Sequence, residues 1–237
     1  SYYKLFGNPS GLGALLVRRD AAAELDEQAC GYYGGGTVAY AVPELQQLRR
    51  KRLPYRFEHG TPSYLGAPQA LVGFSWLERE FGRGEAIDVK AVRVATVLAR
   101  RLLQLTHFNG RPVCAVYGSW SDIVSKYQCE EDVRTIQGPI VAFNVMDNSG
   151  RVVSCRDIER AGELRGIVLR SGSVCNSGGL RMALGLSIDE IAEVWKEVVS
   201  MGDGEDGDPS ASCDDGMVLP DGTPTGVLRA SFGYASV

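Results

Sequence analysis

No run of the 237 residues is long and apolar enough to span a bilayer, and the opening residues carry neither the basic segment nor the apolar core of a secretory signal. The expectation is a cytoplasmic protein that meets no membrane. Cysteine motifs are missing too. Cys30, Cys114, Cys129, Cys155, Cys175 and Cys213 stand without a CxxC or any other metal spacing, so they read as free thiols, most of them packing residues and one or two chemical. The chain has no internal repeats. The acidic segment 202–225 holds seven acids and no Lys or Arg, but its Asp spacing does not fit a calcium loop, and a solvated loop is expected there. The basic run LRRKRLPYR (48–56) reads as an exposed helix face rather than a nucleic-acid site.

With 44% hydrophobic residues the chain can bury a sizeable core in one large or two small domains. LGALLV (12–17) predicts a strand, GYYGGGTV (31–38) a loop, and the stretch from about Val42 to Arg52 a helix. Apolar residues at three- and four-residue spacing predict long helices over 64–81 and 87–105, the second with Val89, Val92, Val97 and Leu98 turned away from Arg93, Arg100 and Arg101. The runs VCAVYG (113–118), PIVAFNVMD (139–147) and GIVLRSG (166–172) predict strands, with a helix at RDIERAGE between the last two. After Gly185, Ser187 and Glu190 form a capping box, and Ile188, Ile191, Trp195 and Val198 make a stripe expected to be core. A boundary is expected near residue 106, with a mainly helical part over 1–106 and an α/β sandwich over 107–237.

Three side chains carry candidate chemistry. Lys4, among aromatics, is either a snorkelling surface residue or an amine desolvated for Schiff-base work. Cys175, in RSGSVCNSGG (170–179), sits after a strand amid small residues, where a thiol can be exposed. Arg229, in PTGVLRASFGYAS (224–236), lies in a strand-like setting. A lysine for a Schiff base, a thiolate nucleophile and an arginine for a carboxylate are the parts that a cysteine-desulfurating pyridoxal enzyme needs.

These segments, with GYYGGGTVA and RFEHGTPSYL, resemble the aminotransferase-class-V half of the eukaryotic molybdenum cofactor sulfurases from Ser1 to Ser236 and in the family's order. The resemblance implies an α/β protein of the pyridoxal phosphate-dependent transferase fold type I, with 1–106 the C-terminal part of the large domain and 107–237 the small α/β domain. It implies that Lys4 binds pyridoxal 5'-phosphate covalently and shuttles the substrate α-proton. Cys175, in Arg170-Ser-Gly-Ser-Val-Cys175, matches the nucleophile that becomes a persulfide, and Arg229 the residue that grips the carboxylate of L-cysteine. Thr61, in EHGTPS, matches a Gly-Thr pair that reaches the cofactor phosphate of a neighbouring subunit, which implies a homodimer; read from its residues alone, Thr61 is equally a helix N-cap. The sulfur acceptor implied is the molybdenum cofactor, and neither nucleic acid nor membrane is an implied partner.

Two departures from the family pattern stand out. The family usually reads Cys-Asn-Pro-Gly-Ala-Cys where this chain has Cys175-Asn-Ser-Gly-Gly-Leu180, without the proline and the second cysteine. The phosphate loop, ring-stacking residue and pyridine-pairing aspartate of such enzymes precede the lysine, and His59 and His107 do not replace them by motif. The expectation is therefore the C-terminal half of an enzyme domain. Other readings are a stand-alone cysteine desulfurase or class V lyase with a different acceptor, and a non-catalytic remnant acting as a binding or structural module.

Overall fold

The computed structural model describes residues 1–8, 11–22, 34–42, 47–82, 84–127, 133–193, 196, 219 and 224–236. Cys30, Cys129, Cys213, Trp195, Val198, the start of the glycine loop (31–33) and nearly all of the acidic segment lie outside the described residues. The chain divides into two compact units, Ser1–Gly82 and Arg83–Val237.

In the first unit, α1 (Tyr3–Phe6) is a single turn closed by Gly7 at φ 80°. The Phe6 and Tyr2 rings meet Phe74 edge-on, at centroid distances of 5.3 and 5.6 Å, which seats the turn on the long helix carrying Phe74. LGALLV forms no strand: Leu15 and Leu16 are 82% and 95% exposed, and Leu12 accepts from the Tyr2 N–H, with no strand partner for the run among the described residues. The expected helix from Val42 is also replaced in its described part. Leu48–Arg49 (β2) pairs antiparallel with Val38–Tyr40 (β1), and the Arg50 N–H donates to the Thr37 carbonyl at 3.1 Å. Strand pairing here outweighs the helix preference of Gln, Leu, Arg and Lys. The short α2 (Leu53–Phe57) has proline in its first turn, where the missing N–H costs nothing, and α3 runs Gly66–Phe81 as the periodicity predicts.

In the second unit, the helix α4 (Gly84–Gln104) packs Val92, Ala95 and Ala99 into one core with the sheet, and these and Ala91 are all at most 2% exposed. Alanines four residues apart give a flat face that lets helix and sheet approach closely, whereas Val97, expected on that face, is 43% exposed. The sheet is antiparallel in the order β3-β4-β5, formed by Cys114–Val116, Ile140–Val145 and Leu228–Ser231. Between β3 and β4, α5 (Trp120–Lys126) buries Trp120, whose indole N–H donates to the Ile140 carbonyl at 3.0 Å. Val141 and Phe143 face the core with α4, and alternation turns Asn144 to the opposite side, where α6 (Cys155–Glu163) packs. Ser154 caps α6 by accepting from the Asp157 N–H.

GIVLRSG gives no full strand; only Arg170 pairs, with Arg229 on the outer edge of β5. Gly166 (φ 72°) and Gly172 (φ 92°) turn the chain away on either side of that bridge. The capping box at Ser187 and Glu190 forms, with the Ser187 hydroxyl and amide donating to the Glu190 carboxylate. Ile188 and Ile191, expected to be core, are 73% and 37% exposed.

Candidate active site

The segment Arg170–Asn176 leaves the edge of β5 and enters α7 (Ser177–Leu184) through a tight turn. Arg170 and Arg229 exchange both backbone hydrogen bonds, at 2.7 and 3.1 Å, and the Val227 N–H donates to the Gly172 carbonyl at 3.1 Å. Gly226 makes that contact possible: a Cβ there would lie 3.1 Å from the Gly172 Cα. Beyond Ser173, Val174 (φ 49°) and Cys175 (φ 57°) both take the left-handed conformation, at a cost of about 1–2 kcal/mol each. Asn176 then caps α7, its side-chain oxygen accepting from the Gly179 N–H at 3.2 Å. This geometry presents the Cys175 thiol to solvent at the mouth of the turn.

Arg229 reaches the same turn. Its Nη1 donates to the Val174 carbonyl at 3.4 Å, while its Nε is buried without a hydrogen-bond partner. An orphaned guanidinium donor costs about 1–3 kcal/mol and is the kind of group that a bound carboxylate would satisfy. Beside the turn lies a cavity of about 210 Å³ walled by Tyr117, Trp120, Ile140, Val174, Asn176 and Leu180. Leu180 in this wall is 7% exposed.

A buried polar network that the sequence reading missed supports this turn. Asn144, fully buried, donates from its amide nitrogen to the Tyr117 hydroxyl and the Gly226 carbonyl, both at 3.2 Å, and accepts from the Cys155 thiol at 3.4 Å. Nearby, the buried Ser171 hydroxyl donates to Glu159 on α6 at 2.5 Å. The signal was a single amide inside the apolar run IVAFNV. Burial pushes the Cys155 thiol up, with the Glu159 charge adding to it, and burial alone does so at Cys114. Both are free thiols in the packed interior, whereas Cys175 is exposed.

Lys4 and Thr61 lie in the first unit. The Lys4 amine is exposed and rests 4.9 Å from the centroid of the Tyr3 ring, a contact of about 0.5–1 kcal/mol that leaves it available. Thr61 does not cap a helix: the N-cap of α3 is Leu65, and the Gly66 N–H donates to Ser63 Oγ instead. Thr61 is exposed and follows a junction of two loops. There the Gly34 N–H donates to His59 Nδ1 at 2.9 Å and the Gly60 N–H to the Gly35 carbonyl at 2.8 Å. A Cβ at Gly34 would fall 2.7 Å from His59 Nδ1, so the glycine is required by close approach. Among the described residues no cluster of His, Cys, Asp or Glu could hold a metal ion, and no helix is long and apolar enough to cross a membrane.

The family model for aminotransferase class-V matches residues 1–192. Over the whole or nearly the whole chain, relatives include the molybdenum cofactor sulfurases of Homo sapiens, 36% identical, Drosophila ananassae, 38%, and Danio rerio, 35%. The alignment covers 100%, 99% and 100% of this chain and 24%, 28% and 26% of those proteins respectively. The chain thus spans about a quarter of the length of the curated relatives it matches.

Proposed function

The chain belongs to the aminotransferase class-V family, with the type I fold of pyridoxal phosphate-dependent transferases, and from that premise we propose that it forms part of a molybdenum cofactor sulfurase. It contributes the lysine, cysteine and arginine that convert L-cysteine to L-alanine and leave a persulfide on Cys175. The persulfide sulfur then passes to the molybdenum cofactor, and the reaction takes place in the cytoplasm.

The observation that carries this reading is the contact between Arg229 and the Cys175 turn: a guanidinium with an unsatisfied donor lies one residue from an exposed thiol. Lys4 would hold pyridoxal phosphate through its exposed amine, and the exposed Thr61 hydroxyl of a second copy of the chain would reach its phosphate; the bound group would supply an electron sink for the bonds at the substrate Cα. Arg229 fixes the substrate by its carboxylate. Lys4 Nζ takes the proton from Cα. The Cys175 thiolate bonds to the substrate sulfur as the Cβ–S bond breaks; the electron pair stays with carbon, which gains a proton to complete alanine. Cys175 ends as the persulfide, so sulfur and electrons balance without an external oxidant.

Replacement of Lys4 in the intact protein tests the reading. Lys4→Ala is expected to lose both the visible absorbance of bound cofactor and alanine formation while keeping the far-ultraviolet circular dichroism of the parent. Retention of the absorbance band would assign the cofactor to another amine.

A further inference from the structure

A carboxylate gripped by two guanidinium nitrogens uses either the Nε edge or the two terminal nitrogens. In Arg229 the Nε edge is sealed, with Nε buried and unpartnered, and the terminal edge has Nη1 on the Val174 carbonyl. A carboxylate that takes either fork needs a nitrogen that the closed turn buries or bonds, so carboxylate binding and the closed turn compete for the same guanidinium. The turn itself is held at a cost, since Val174 and Cys175 are both left-handed and a β-branched residue is an outlier there. Its start is anchored separately, by Ser171 on Glu159 and by Gly172 against Gly226, and its end by the Asn176 cap. What remains to Arg229 is the stretch between those anchors.

We propose that Arg229 is a catch as well as a grip: it holds the Val174–Cys175 turn closed, and a substrate carboxylate, by taking the guanidinium into a two-bond fork, releases the turn and lets Cys175 advance. The inference rests on the reading of Arg229 as the carboxylate-binding residue. It makes movement of the thiol conditional on a filled site, so that the nucleophile is withheld until an amino acid is bound.

The reporter is the Asn176 amide, which donates to the Ser173 carbonyl across the turn at 3.1 Å. Its hydrogen exchange is followed in the intact holoprotein alone, with saturating L-alanine, and with L-alaninamide, which keeps the amine and lacks the carboxylate. L-alanine is expected to speed exchange about tenfold, against the usual slowing by a ligand, and L-alaninamide to leave it unchanged. Arg229→Gln is expected to exchange fast at rest and to ignore L-alanine. Val174→Asn, which tolerates the left-handed region, should exchange about threefold more slowly at rest; an equal or faster rate contradicts the proposal. Should L-alanine bind by calorimetry in an Arg229-dependent way yet leave exchange unchanged or slower, the catch is refuted and the carboxylate grip stands. Equal L-alanine binding by Arg229→Gln would refute both.

Discussion

Asn144→Ala probes the support of the Cys175 turn without touching the reacting groups. The amide of Asn144 is fully buried and makes two hydrogen bonds of 3.2 Å, to the Tyr117 hydroxyl and the Gly226 carbonyl, beside a weaker thiol contact. Each ordinary bond contributes about 1 kcal/mol net, and leaving the buried Gly226 carbonyl with only the distant Cys155 thiol, 3.8 Å away, costs about 1 kcal/mol more, so the loss should be about 3 kcal/mol. In a unit of the size of Arg83–Val237 that is a fall in melting temperature of about 6–12 °C. Denaturant unfolding of wild type and variant, with the m-value checked for a common unfolding transition, gives the difference directly. Because Gly226 backs Gly172, the variant should also form persulfide more slowly at saturating L-cysteine. A stability loss below about 1 kcal/mol would show that Asn144 is replaceable by water and that the network does not hold the turn.

Three other outcomes follow from the geometry. Arg229→Lys replaces a planar fork by a point charge, and the KM for L-cysteine should rise about thirtyfold, the equivalent of one charged hydrogen bond of about 2 kcal/mol; an unchanged KM would leave Arg229 a structural residue. Gly226→Ala would press a methyl group against the Gly172 backbone, 3.1 Å from its Cα, and should destabilise by about 1–3 kcal/mol in thermal unfolding, a neutral result showing that the two loops can part. The Asp147 carboxyl is held well below the usual carboxylate range, first by the Ser149 hydroxyl and then by the Arg151 amide. A depressed folded value stabilises at pH above the unfolded value of about 4 and is lost as pH falls through the folded one, so the stability advantage over Asp147→Asn should be constant above about pH 5 and shrink below about pH 4. An advantage that grew on acidification would refute that assignment.

Periodicity made the two long helices legible: Gly66–Phe81 and Gly84–Gln104 fall where the apolar spacing placed them, and Cys155–Glu163 falls at RDIERAGE, where a helix was expected between two strands. Two strands of the sheet were equally plain, since Cys114–Val116 and Ile140–Val145 are β-rich runs between turns. The failures are of another kind. Leu12–Val17 has strand composition but no partner strand among the described residues, and Leu48–Arg49 has helix composition but does have a partner in Val38–Tyr40. Composition expresses local preference, and sheet formation is decided by a distant edge. At the candidate site the chemistry-bearing types Cys175 and Arg229 stood out in the sequence, while Asn144, Ser171 and Glu159 did not. Their importance comes from burial and from partners as many as 82 residues away, as in the Asn144–Gly226 bond.

The central claim is that sulfur leaves L-cysteine on Cys175. Peptide mapping by mass spectrometry after a single turnover of the intact holoprotein tests it most directly. The persulfide is expected on Cys175, the exposed thiol of the turn, and on neither Cys114 nor Cys155, whose thiols are buried and pushed up by that burial. Cys175→Ser should keep bound cofactor and carry no persulfide. A persulfide found on another cysteine, or alanine formed by Cys175→Ser at the wild-type rate, would contradict the account.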